Sequence, residues 1–300
     1  MSILLTGQFD AGERDEWLAL LHAELPAETL VTDRTEAADA ADADIAIVAN
    51  PPFGALQGLP RLRLIQSLWA GVDRLLADAS IPAELPIARM VDPAMNEAMA
   101  ETALWAVLAL QRDFFDYARQ QSHSQWLPHP QRRADEVPVL VLGRGQMGTA
   151  VTRRLAANGF PVTSWGSRDG VLPPLLGGAA VVINLLPLTP ATRGLFNAAT
   201  LAAMRPGASL VNLARGAHVV EADLLDALDA GHLRHAVLDV FDEEPLPGTH
   251  RFWLHPRVTV LPHVAAATDA RSAAAIAAAN VRRFRAGQPV DHLVVRSRGY

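Results

Sequence analysis

Four consecutive apolar residues, Val139-Leu140-Val141-Leu142, run directly into Gly143-Arg144-Gly145-Gln146-Met147-Gly148, and a helical pattern continues to about Ala157. Few arrangements restrict a fold as much. An uninterrupted apolar strand is buried on both faces, as strands are in parallel sheets covered by helices. The glycines allow a tight turn and close approach of backbone to a pyrophosphate, and the helix N-terminus adds amides and a partial positive charge. Alone, G-x-G-x-x-G is a weak signal; directly after a strand and opening a helix, it points to a dinucleotide site. Gly143, Arg144, Gly145, Gln146, Met147 and Gly148 are therefore candidate cofactor-binding residues.

The same order occurs at the start of the chain, where residues 2–6 read as a strand, followed by Gly7 and an amphipathic helix over about 11–25. Further short apolar runs lie at 45–48, 62–68 and 87–90. In the second half they lie at 162–165, 180–186, 209–213, 236–240 and 258–261. Runs of this length separated by helical patterns predict an α/β chain of two doubly wound parallel-sheet (Rossmann/flavodoxin-like) domains with the active cleft between them. The expected division is a substrate domain over 1–100, completed by 264–300, and an NADP-binding Rossmann domain over 101–263. Asp92-Pro93 offers a helix start, and 94–121 reads as one long helix rich in Ala, Leu and aromatics. The alanine-dense stretch 265–286 predicts a last helix, stopped by Gly287, that returns to the first domain.

The chain has 300 residues, half of them hydrophobic, and a net charge of −6, so no basic surface for nucleic acid is expected. It has no cysteine, which removes disulfides, thiolate metal sites and cysteine nucleophiles. The first basic residue is Arg14, so the N-terminus lacks the charged start of a secretory signal, and no apolar run approaches a membrane span. A soluble, cytoplasmic protein is the expectation. His232 and His235 are separated by three positions beyond Gly231, with no acidic partner at ligand spacing, and no metal site is read.

The end of the strand at 162–165 bears on which nucleotide binds. An NAD site places a carboxylate there for the ribose hydroxyls. This chain has Gly166, then Ser167 and Arg168, which could take a 2′-phosphate; the plainer alternative pairs Arg168 with Asp169 as an exposed loop. NADP(H) is expected over NAD(H). Three titratable residues also follow buried runs: Arg215, one of the acids Asp242, Glu243 and Glu244, and His263. A guanidinium can grip a carboxylate in two prongs and polarise the neighbouring carbonyl. An imidazole beside a carboxylate can deliver a proton. Together with the nucleotide fingerprint, these suggest hydride transfer on a 2-oxo or 2-hydroxy acid. Arg215 as a structural salt bridge and His263 as a satisfied core histidine are the plainer alternatives.

Asn184-Leu-Leu-Pro-Leu-Thr-Pro-Ala-Thr192, Met204-Arg-Pro-Gly-Ala208 and Val211-Asn-Leu-Ala-Arg-Gly-Ala217 resemble the D-isomer-specific 2-hydroxyacid dehydrogenases, as do Leu238-Asp-Val-Phe241, Glu244-Pro-Leu-Pro247, Leu261-Pro-His263 and Arg298-Gly-Tyr300. The likeness covers nearly the whole chain and is greatest to the bacterial glyoxylate/hydroxypyruvate reductase A branch. It implies that Arg215 binds the substrate carboxylate and carbonyl, that His263 donates the proton and that Glu244 is the acid paired with it. Trp69, Ala70 and Gly71 would form the substrate loop, in which Trp69 departs from the usual small residue. It either narrows the pocket or packs beneath the loop. Leu186, Pro187, Thr192, Leu213, Ala214, Asp239 and His263 would line the cofactor, with Met95 and Asn96 towards its nicotinamide end. The resemblance further implies a small 2-oxo acid as substrate and a homodimer, with the long linker helix as a contact. A reductase of bulkier 2-ketoacids would keep these residues and differ near Trp69 and Asn50. A nucleotide-binding corepressor would need an apolar peptide groove or added tails, which the sequence does not display.

Overall fold

Both glycine-opened stretches become the first strand of an all-parallel sheet. The computed structural model describes residues 2–32, 42–166 and 169–299; the candidates Ser167 and Arg168 lie outside the described residues. The chain divides into two units, Met1–Ala94 with Thr268–Tyr300, and Met95–Ala267.

In the first unit, β1 (Ser2–Gly7), β2 (Thr29–Val31), β3 (Ala43–Ala49), β4 (Leu64–Ser67) and β5 (Ile87–Ala88) form a sheet in the order β2-β1-β3-β4-β5. Every residue of β3 is buried, as a central parallel strand covered on both faces requires. Helix α1 (Ala11–Glu24) starts at a capping box, in which Asp10 accepts from the Glu13 amide and Glu13 accepts from the Asp10 amide. Helix α2 (Asp73–Ala77) follows the Trp69–Gly71 loop. The C-terminal helix is shorter than expected, Ala270–Arg285, because Asp269 caps it by accepting from the Arg271 amide. Gly287 ends it with a φ of 66°. Buried Asn280 donates to buried Gln66 at 2.7 Å, and Arg285 ion-pairs with both Glu28 and Asp44. Those two carboxylates hold the Arg285 guanidinium well above its usual range despite burial.

The second unit begins within α3 (Pro93–Gln111). Here the expected single helix over 94–121 is corrected: α3 ends at Gln111 and α4 (Phe114–Ser122) starts afresh. Between them Asp113 is left-handed, with φ 58° and ψ 27°. Its carboxylate is taken by Arg234 and faces His129 Nδ1 at 3.2 Å, so contacts distant in sequence override local helical propensity. The sheet then comprises β6 (Val139–Leu142), β7 (Val162–Trp165), β8 (Val181–Asn184), β9 (Ser209–Asn212), β10 (His235–Leu238) and β11 (Val258–Val260), ordered β11-β10-β9-β8-β6-β7. Leu140, Leu142, Val182, Leu210, Ala236 and Leu238 face one apolar core. The alternating residues Val139, Val141, Val181, Ile183, Val211 and Val237 face another. Two-sided burial is therefore the reason these runs carry no polar alternation. The covering helices include α5 (Gln146–Ala157), which follows the glycine turn. The chain reverses sheet direction between β6 and β8, the switch point at which doubly wound folds bind ligands.

Candidate active site

The glycine turn is built for close approach. The Gly143 amide donates to the Trp165 carbonyl at 2.8 Å, joining turn to sheet. A Cβ on Gly148 would lie 1.9 Å from the Gly143 carbonyl oxygen, so no larger residue fits where α5 crosses the turn. By contrast, a Cβ on Gly145 would meet nothing within 4 Å. The backbone is thus exposed at the point where a pyrophosphate would lie against the first amides of α5. These residues fit the nucleotide expected from the fingerprint.

Two neighbouring loops are tied together by a buried polar network that sequence reasoning missed. Asn184, at the end of β8, donates to Asn212 Oδ1 at 2.9 Å and accepts from the Leu186 amide at 3.2 Å. Asn212, at the end of β9, donates to the Arg215 carbonyl at 2.9 Å and accepts from the Ala214 amide at 3.3 Å. Fully buried His218 faces that same carbonyl through Nδ1 at 3.1 Å and the Pro187 carbonyl through Nε2 at 3.3 Å. Thr192 also donates to the Pro187 carbonyl, at 2.7 Å. Leu186, Thr192, Leu213 and Ala214 are all buried beside these bonds. The visible signal was a polar residue, Asn184 or Asn212, closing an otherwise apolar strand.

The network fixes the backbone that carries Arg215. Its Nη1 donates to the Ala214 carbonyl at 2.7 Å. Gly216 follows by necessity, since a Cβ there would lie 1.8 Å from the Phe241 carbonyl carbon.

Glu244 and His263 meet directly. His263 Nδ1 donates to Glu244 Oε2 at 2.7 Å, and the Phe241 amide donates to Glu244 Oε1 at 2.9 Å. A carboxylate can only accept, so this contact places a hydrogen on Nδ1. Nε2 of His263 makes no hydrogen bond among the described residues. His263 has φ 57°, unusual for a residue with a Cβ. Asp239 explains how that conformation is held. It is 1 % exposed, its carbonyl accepts from the His263 amide at 2.9 Å, and its two carboxylate oxygens accept from the Val264 and Ala265 amides at 2.7 and 3.0 Å. Burial pushes the Asp239 carboxyl up, against the pull of those amides.

The Glu244 hydrogen bond raises the His263 pKa above its ordinary value; burial and the charge of Arg215 oppose it. On Glu244 burial acts upward, but the His263 and Phe241 hydrogen bonds prevail and lower its carboxyl. Arg215 acts electrostatically on both partners. A cation, an acidic imidazole and a carboxylate therefore share one site, the combination needed to grip an anion and give it a proton.

In the first unit, the Ser67 hydroxyl donates to the Trp69 carbonyl and accepts from the Trp69 amide, both at 3.0 Å, and the Met90 amide donates to the same carbonyl at 3.1 Å. The Trp69 ring stands edge-on to buried Trp17 at 6.3 Å, so it packs against the interior of its own unit. Ala70 and Gly71 are half-buried. Met95 is buried and Asn96 half-buried. His232 faces the Leu201 carbonyl at 3.1 Å. His235 stacks on Phe115 at 4.5 Å, and burial lowers its pKa to about 4. Among the described residues, Asp113, Asp116 and His129 bring possible ligand atoms within 4.8 Å of one another. Arg234 already pairs with both carboxylates, supplying the positive charge an ion would bring.

Comparison with known proteins places the chain in a family. Residues 104–265 match the family described as D-isomer specific 2-hydroxyacid dehydrogenase, NAD binding domain. The chain is 40 % identical to glyoxylate/hydroxypyruvate reductase A of Serratia proteamaculans, covering 95 % of this chain and 96 % of that protein. The fold superposes with a TM-score of 0.92 on a D-isomer specific 2-hydroxyacid dehydrogenase from Xanthobacter autotrophicus in complex with NADPH and MES, at 36 % identity, covering 100 % of this chain and 99 % of that one. It superposes equally, with a TM-score of 0.92 at 32 % identity and 100 % of both chains covered, on an NADPH-dependent glyoxylate/hydroxypyruvate reductase from Sinorhizobium meliloti in complex with NADP and sulfate.

Proposed function

Since the chain belongs to the D-isomer specific 2-hydroxyacid dehydrogenase family, we propose that it is a cytoplasmic, homodimeric enzyme that uses NADPH to reduce glyoxylate and hydroxypyruvate to their 2-hydroxy acids. The observation that carries this reading is the His263–Glu244 pair at 2.7 Å, with Nε2 of the imidazole left unengaged among the described residues. The relatives named for those two substrates, and the solved relatives holding NADPH or NADP, support the choice of substrate and cofactor.

The turn Gly143–Gly148 and the first amides of α5 hold the cofactor's pyrophosphate, with the Leu186–Pro187 and Leu213–Ala214 backbones as further walls. Bound there, NADPH supplies the hydride. Arg215 binds the substrate carboxylate and draws electron density from its carbonyl. Glu244 keeps His263 protonated and turned by its Nδ1–H bond, so that Nε2–H gives its proton to the carbonyl oxygen as that oxygen gains charge. Asp239 acts through the backbone that holds His263.

Dimerisation is supported by exposed apolar side chains concentrated on and after α3 and α4: Trp105, Leu108, Phe114, Trp126 and Leu127, with Trp126 96 % exposed. No helix among the described residues is long and apolar enough to cross a membrane.

NADPH oxidation with glyoxylate, hydroxypyruvate, pyruvate and a bulky 2-ketoacid, with NADH in parallel, tests the proposal. Preferred turnover of the two named acids with NADPH is expected. Turnover of the bulky acid alone would overturn the substrate assignment, and equal rates with NADH would overturn the cofactor assignment.

A further inference from the structure

The end of β7 offers no side chain, because the residue there is Gly166. In dinucleotide-binding folds this point lies beside the adenosine ribose, where an acid holds the hydroxyls of NAD or a basic residue accommodates the extra phosphate of NADP. Here the space is occupied from the glycine turn. A Cβ on Gly166 would lie 3.4 Å from Cδ and 3.7 Å from Cγ of Arg144, and 3.5 Å from Oδ2 of Asp169.

Asp169, the acid next in this loop, is turned back on the turn. Its two oxygens accept from Nη1 of Arg144 at 2.8 Å each, and Oδ2 also accepts from the Gly166 amide at 2.8 Å. The Asp169 amide closes the loop onto the Gly166 carbonyl at 2.8 Å. The carboxylate is thereby neutralised and points at protein donors. Both bonds from Arg144 use Nη1 alone. Its Nε and Nη2 make no hydrogen bond among the described residues, and the side chain is 57 % exposed. The Nε–Nη2 edge is one of the faces through which guanidinium grips phosphate in two prongs.

We propose that Arg144 is the residue that recognises the 2′-phosphate of NADPH: Asp169 anchors its Nη1 over Gly166, and the opposite edge of the guanidinium takes the phosphate. The discriminating charge thus comes from inside the glycine-rich turn, beside the position where Gly166 offers no side chain of its own. The inference rests on the NADPH reading above and deepens it by naming the residue that distinguishes the two cofactors. The plain alternative is an exposed ion pair of little consequence, as many are.

Calorimetric binding of 2′,5′-ADP and 5′-AMP, which differ only by the 2′-phosphate, separates these possibilities in the native protein, Arg144→Ala and Arg168→Ala. The native protein is expected to prefer 2′,5′-ADP. Arg144→Ala should weaken 2′,5′-ADP on the order of tenfold, as loss of one partly screened charge-assisted contact implies, with 5′-AMP unchanged. An unchanged preference in Arg144→Ala, or its loss in Arg168→Ala alone, overturns the assignment to Arg144 and leaves the NADPH reading intact. Equal weakening of both nucleotides in Arg144→Ala also overturns it, because the contact would not be with the phosphate. No preference in the native protein overturns the NADPH reading itself.

Discussion

Glu244→Gln removes a charge from the proposed proton donor's partner while nearly preserving its shape. Glutamine retains an oxygen for the Phe241 amide, which now lies 2.9 Å from Glu244 Oε1. It loses the negative charge whose hydrogen bond is the largest influence raising the His263 pKa; burial and Arg215, which lower it, remain. The imidazole therefore titrates at lower pH in the variant. In the proposed mechanism reduction requires the protonated form, so kcat/KM should fall as pH rises through the His263 pKa, and this alkaline limb should move towards acid in the variant. A hydrogen bond to a charged group contributes about 1.5–3 kcal/mol when shielded from water. His263 and Glu244 are 52 % and 36 % exposed, so solvent screening reduces that contribution. An effect of about 1 kcal/mol remains, roughly a fivefold loss of kcat/KM on the alkaline limb. On the acid plateau both proteins hold the proton and differ less. The assay is NADPH-dependent glyoxylate reduction from about pH 5 to about pH 9, across the histidine range, with His263→Ala as the variant expected to lose turnover but still bind NADPH. A uniform loss at every pH, with the limb in place, would refute the view that Glu244 works by holding the proton on His263. The pair also links stability to pH. His263, raised from 6.5, contributes fully below that value and loses its share as pH rises through the raised pKa. Glu244, lowered from 4.5, contributes fully above that value and loses its share as pH falls through the lowered pKa. Glu244→Gln should therefore lower Tm most between 4.5 and 6.5.

Arg215→Lys keeps a positive charge and loses the fork, so KM for the 2-oxo acid should rise on the order of tenfold while the NADPH Kd stays put; an unchanged KM would sink the carboxylate-clamp role. Light scattering should return about twice the chain mass of 32.2 kDa, and Phe114→Asp combined with Trp126→Asp should shift it to the monomer. A native protein already monomeric at assay concentration would refute the dimer.

The second sheet was the most legible part of the fold, and the physical reason is two-sided burial. Its six strands were expected near their observed positions because Val139–Leu142 is apolar throughout, its neighbours are largely apolar, and all stand between helical patterns. β2 went unread: it has three residues at a sheet edge, and only Val31 is buried. The break at Asp113 was invisible locally, since the residue that holds it, Arg234, lies 121 positions away. Of the site, Arg215, Glu244 and His263 could be named because each follows a buried run, but Glu244 could be separated from Asp242 and Glu243 only by family resemblance. The supporting shell was not legible. His218 looks like any other histidine until the fold closes around its ring, and Asp239 gives no hint in sequence that both its oxygens cap the loop after His263. The alternative pairing of Asp169 with Arg168 falls on a residue outside the described ones; the contact of Asp169 with Arg144 was concealed by a sequence separation of 25 residues.

Arg215 and protonated His263 carry two positive charges and Glu244 one negative, leaving a net charge of +1 to meet the one negative charge of a 2-oxo acid monoanion. In the proposed mechanism hydride arrival would place a second negative charge on the carbonyl oxygen, and the proton from His263 Nε2 would remove it as it forms. After transfer in the proposed reaction the imidazole would be neutral and Arg215 and Glu244 would balance, while the positive charge left by the departing hydride would reside on the oxidised nicotinamide. Arg215 lowers the His263 pKa while Glu244 raises it. The two influences oppose each other, and the balance lies above the ordinary histidine value. Without Glu244, burial and the charge of Arg215 would both push the His263 pKa down. On the proposed mechanism, the carboxylate is thus what would allow an arginine clamp and a histidine acid to occupy the same site.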